Sequence, residues 1–90
     1  MIKNKIVITS ALRTAVGSLS KSLKNTPAEV LGAEVIANVI KKSKLKPNDI
    51  DEIIMGQVLT GGSGQNPARQ AAIKSGVPKE KPAYIVNQVC

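Results

Sequence analysis

Ninety residues carry thirteen basic side chains against six acidic ones, a formal charge of +7, with 42% apolar content and one aromatic residue, Tyr84. That length bounds the chain at one small domain with an aliphatic core of marginal size. A single cysteine and no histidine exclude an internal disulfide framework and a Cys/His zinc site.

The first predicted element is a strand over residues 5–11, where Ile6, Val7 and Ile8 form a short continuous apolar run of the kind covered on both faces. Residues 13–17 and 18–25 follow as loop. Thr26, Pro27 and Glu29 then mark a helix start, with Thr26 as cap, Pro27 in the first helical position and Glu29 closing a capping box. This helix should run to about Ser43. Its apolar positions, among them Ala33, Val35, Ile36, Val39 and Ile40, cover more than half the circumference, which implies burial against more than one neighbour.

Residues 45–49 punctuate, with Asn48 or Asp49 able to cap a short turn. A second buried strand is expected over 53–59, with Gly56 inside it as a place of close backbone approach. Glycines at 61, 62 and 64 break the chain. Asn66 then caps, Pro67 starts and Gly76 closes a small helix. After a loop over 77–82, a third strand should run from Ala83 to Val89 and deliver Cys90 to its end. The order β-α-β-α-β, with helical crossovers between strands, predicts a parallel sheet in a three-layer α/β fold. Strand order, and hence the face each helix takes, is not determined by the sequence.

Few residues carry chemistry. The loop at 61–64 lies between a strand and a helix, where phosphates are cradled, but Pro67 stands where a dinucleotide fingerprint needs its third glycine and no P-loop ending is present. A structural turn or a subunit-contact loop is the competing reading. Arg13 and Arg69 are each a phosphate clamp or a structural arginine. Lys41, Lys42, Lys44 and Lys46 form the one local basic cluster, read as a helix end matched to its dipole rather than a nucleic-acid patch. Cys90, taken alone, is either a small core residue or a nucleophile. Its place at the carboxyl end of a strand, where α/β proteins collect their chemistry, raises the second reading to equal standing with the first.

Four stretches bear a specific resemblance. Residues 10–17 (Ser-Ala-Leu-Arg-Thr-Ala-Val-Gly), 55–60 (Met-Gly-Gln-Val-Leu-Thr), 64–72 (Gly-Gln-Asn-Pro-Ala-Arg-Gln-Ala-Ala) and 87–90 (Asn-Gln-Val-Cys) resemble, in order and spacing, the N-terminal part of the thiolases, particularly the biosynthetic acetyl-CoA C-acetyltransferases. The resemblance implies the opening β-α-β-α-β portion of the N-terminal half of a thiolase fold, layered αβαβα when complete. It implies Cys90 as the nucleophile that carries the acetyl group. A downstream histidine, a second cysteine and oxyanion donors would complete the site, and no histidine or second cysteine is present here.

On that reading residues 1–90 are an incomplete domain ending at the nucleophile, the Ser-Gly that usually follows it is missing, and the isolated chain is expected to be inactive. The expected partners are acetyl-CoA, acetoacetyl-CoA and CoA, as substrates and products with no separate cofactor and no metal. A homo-oligomer, dimer or tetramer, is expected of the complete enzyme. The 61–64 loop and the segment after it would serve assembly. No nucleic acid and no membrane are expected: no run approaches the ~18 apolar residues of a span, and the apolar run after Lys3 and Lys5 is too short for a signal peptide. A thiol kept reduced points to the cytoplasm. The rival reading is a small α/β module binding a nucleotide or phosphate through residues 61–64 and the surplus lysines; a non-catalytic, thiolase-like remnant serving assembly is a third.

Overall fold

A computed structural model describes residues 4–89. Helix α1 spans Ala28–Lys42, a 3₁₀ turn follows at Pro47–Asp49, and strand β1 spans Ile53–Gly56. Helix α2 spans Pro67–Ser75 and strand β2 spans Ala83–Val86. The two strands pair in parallel, with Ile53 opposite Ala83 and Gly56 opposite Val86, and α2 is the crossover between them. The expected α/β class with parallel strands is therefore present.

Both helices gather on one face of this sheet. Ile53, Met55, Ala83 and Ile85 point toward them and are half-buried, while Ile54, Tyr84 and Val86 alternate onto the other face and are exposed. Among the described residues the arrangement is thus two layers rather than three. Tyr84 lies on the exposed face; desolvation, followed by the charge of Glu52 and a hydrogen bond to it, holds its phenol above the ordinary value.

The core is built from small side chains because the helices approach closely. Ala68, Ala71 and Ala72 of α2 are buried, as is Ala33 of α1. Gly32 makes the approach possible: a β-carbon there would lie 3.3 Å from that of Ala71 and 2.5 Å from the Met55 methyl. Gly56, the expected point of close approach, has open space where its side chain would be, so the tight contact is at Gly32 of α1, against Met55 of β1 and Ala71 of α2. Ile40, Ala72 and Val77 form the buried centre, flanked by Ile36, Ile50, Ile53 and Ala83. The rest of the broad apolar stripe of α1, including Leu31, Val35 and Val39, lines an open groove of about 490 Å³ beside β1.

The capping signals hold to different degrees. At α2 they hold as read: Asn66 accepts a side-chain bond from the Arg69 amide, Pro67 is the first helical residue, and Gly76 closes the helix with φ of 96°. At α1 the start is shifted. Pro27, at ψ of 151°, is itself the cap, and its carbonyl accepts from the amides of Val30 and Leu31 at 3.1 and 3.2 Å. The helix therefore begins at Ala28, which moves Glu29 one position too early for the box expected with Thr26. In the 3₁₀ turn Asp49 acts as expected, accepting from the Lys46 amide at 2.8 Å.

The strand expected over 5–11 does not form. Residues 4–17 lie outside regular secondary structure, and Ile6 and Ile8 are fully or almost fully exposed. A strand exists only through a ladder partner, and this segment pairs with neither β1 nor β2 but is held to the end of α1 by side chains. Ser10 donates to the Val39 carbonyl at 3.1 Å, and the hydroxyls of Thr9 and Ser10 lie 2.9 and 2.6 Å from that of Ser43. The other two strands are shorter than expected, ending at Gly56 and Val86 instead of 59 and 89.

Candidate active site

The site of interest lies past the carboxyl end of β2. Cys90 itself lies outside the described residues, so its surroundings are defined by what leads to it. The last backbone bond between the strands runs from the Gln57 amide to the Val86 carbonyl at 3.1 Å. Beyond it the Asn87 side-chain amide donates to the Val58 carbonyl at 3.4 Å. A side chain thus continues the tie between the two strand exits where the backbone ladder stops.

At the other end of β2 the tie is stronger. Asn66, in the left-handed region with φ of 40°, uses both ends of its amide. Its Oδ1 accepts from the Arg69 amide at 3.1 Å and caps α2, while its Nδ2 donates to the Ala83 carbonyl at 3.0 Å. Asparagine tolerates that backbone region better than most residues. Arg69 adds a parallel tie, Nη1 donating to the Lys81 carbonyl at 3.2 Å. This is the structural reading of Arg69, its guanidinium engaged with backbone.

The glycine loop is latched from within. Gln70 Nε2 donates to the carbonyls of Ser63 and Gln65, both at 2.7 Å, and Gln57 Nε2 reaches the Leu59 carbonyl at 3.0 Å and the Ser63 hydroxyl at 3.2 Å. Gly62 and Gly64 take φ of 76° and 75°, conformations that glycine adopts at little cost. A β-carbon at Gly64 would also crowd the Gln70 amide at 3.1 Å. These bonds close the loop on its own carbonyls, which supports the structural-turn reading. The two glutamines were not singled out from the sequence; their signal is an amide side chain on each side of a glycine loop whose carbonyls need donors.

The remaining candidates stand apart. Arg13 is exposed and donates to the neighbouring Thr14 carbonyl at 2.9 Å, beside a shallow depression it shares with Glu34 and Asn38. Lys41, Lys42, Lys44 and Lys46 are exposed around the end of α1. Among the described residues no group of three or more His, Cys, Asp or Glu side chains could hold a metal ion, and no helix is long and apolar enough to cross a membrane.

A parallel α/β unit whose second strand runs out toward a lone thiol defines the class, and comparison with known proteins defines the family. Residues 6–90 match the model of the thiolase N-terminal domain. The acetyl-CoA acetyltransferase of Cupriavidus necator is 56% identical over 85 residues, and that of Pseudomonas aeruginosa 55% over 85; each alignment covers 94% of this chain and 22% of the relative. In structure the chain is similar to the Acat5 thiolase from Ascaris suum, solved in complex with coenzyme A, with a TM-score of 0.79 and 41% identity over 81% of this chain and 19% of that one. The chain belongs to the thiolase family, within whose N-terminal domain it matches. It spans about a fifth of the length of these relatives.

Proposed function

We propose that the chain is the opening section of an acetyl-CoA C-acetyltransferase and that Cys90 is its acyl-carrying nucleophile. The observation that carries this is the family match extending through residue 90, with Cys90 four residues past the end of β2. The Cys90 thiolate attacks the thioester carbonyl of acetyl-CoA, the carbon–sulfur bond to CoA breaks, and CoA leaves with a proton as the thiol. A second acetyl-CoA gives up a methyl proton to a base, and its carbanion takes the acetyl group to form acetoacetyl-CoA, returning the thiolate. Thiolysis is the same sequence reversed. With no histidine and no second cysteine in these residues, the proton transfers fall to groups elsewhere in a protein of the relatives' length.

The acyl-thioester intermediate, a homo-oligomeric enzyme and a cytoplasmic location belong to the same proposal. The named relatives support the reaction, and an unpaired thiol that must stay reduced supports the compartment. CoA thioesters enter as substrates, with no separate cofactor. The test is brief exposure of the full-length protein to acetyl-CoA, acid quench and peptide mass analysis. One acetyl group on the Cys90 peptide, absent in Cys90→Ala, is expected together with loss of condensation in that variant. Full activity of Cys90→Ala would overturn the assignment. The 90-residue chain alone should neither condense acetyl-CoA nor cleave acetoacetyl-CoA.

A further inference from the structure

Helix α2 and strand β2 are joined at their beginnings by side chains, and the strand then leads to Cys90 seven residues after Ala83. A parallel strand can slide along its neighbour unless something pins its register. The ladder to β1 pins one side of β2. On the other side stand two bonds from the first turn of α2, Asn66 Nδ2 to the Ala83 carbonyl and Arg69 Nη1 to the Lys81 carbonyl. Asn66 is the pivot, because the same amide that holds β2 also caps the helix. The helix is in turn fixed by the buried Ala68, Ala71 and Ala72, so the amide transmits the position of a packed element to the start of the strand.

We propose that Asn66 is a positioning residue for the Cys90 nucleophile, setting through β2 where the thiol meets its substrate. The inference rests on the reading of Cys90 given above. A displacement of about 1 Å at a reacting atom can cost on the order of a hundredfold in rate, so a bond remote from the chemistry has leverage on kcat. A role confined to helix stability would act only through the folded fraction.

The two halves of the amide can be separated in the full-length protein. Asn66→Asp keeps the oxygen that caps α2, and aspartate is as good a cap as asparagine, but it removes the donor to Ala83. Asn66→Ser keeps a capping hydroxyl on a side chain too short to bridge to β2. Both should melt within a few degrees of the parent, lose about tenfold or more in kcat and hold KM within about twofold. The rate of Cys90 alkylation by iodoacetamide, which needs no substrate, should shift in the same variants. Parent-like kcat and alkylation in both variants would overturn the proposal, as would a loss of rate matched by the unfolded fraction. Cys90→Ala with full activity would instead overturn the nucleophile assignment, and alkylation would still report whether Asn66 places the thiol.

Discussion

Helix α2 and residues 5–11 have comparably clear sequence signals and opposite outcomes. Helix α2 carries its own instructions: Asn66 to start it, Gly76 to stop it and a row of alanines to bury. All of these act within a few residues of one another. The segment around Ile6, Val7 and Ile8 has a purely apolar pattern, and that pattern is useful only opposite another strand. The segment pairs with neither β1 nor β2, and its isoleucines remain in water. Local signals complete a helix, whereas a strand is completed by a partner that its own residues do not specify.

The contrast can be sharpened by substitution. The largest expected effect is at the α1–α2 contact: Ala71→Leu forces a branched side chain into the place where a β-carbon on Gly32 would already be 3.3 Å away, and overpacking of this kind costs about 1–3 kcal/mol or more. Urea unfolding should show the midpoint falling. An unchanged midpoint would mean that the helices are not packed as described. Gly76→Ala should cost about 1 kcal/mol, because the residue holds φ of 96°, a region strained for any side chain. Smallest is Ile8→Lys, whose side chain is almost fully exposed; a change within about 0.5 kcal/mol is expected of such a surface site. A large loss there would show that residues 5–11 find a ladder partner after all and would dissolve the contrast.

Legibility followed the range of the interaction. The two helices and the parallel pairing could be read because caps, prolines and periodicity act within a turn or two. Pro27 displaced the start of α1 by one residue, since the sequence does not reveal whether a proline will be the cap or the first helical residue. The truncation of both strands, the tight approach at Gly32 rather than Gly56 and the second bond of Asn66 all depend on residues brought close only by folding; Asn66 and Ala83 are 17 positions apart. Arg69 could be narrowed to two roles, and only its distance to Lys81 separates them. Cys90 is a candidate through the motif around it, which is a property of the sequence alone.

The side chains that tie α2 to β2 also bear on association. In a parallel pair the carbonyls of alternate residues face opposite edges, and β2 turns those of Pro82 and Val86 toward β1. The carbonyls of Lys81 and Ala83 consequently face outward, where an unoccupied edge invites another chain to add on. Arg69 and Asn66 occupy both of them. The outer edge of β2 is thereby stoppered at its beginning, and an incoming strand could engage it only from Ile85 onward, on the stretch that ends at the thiol.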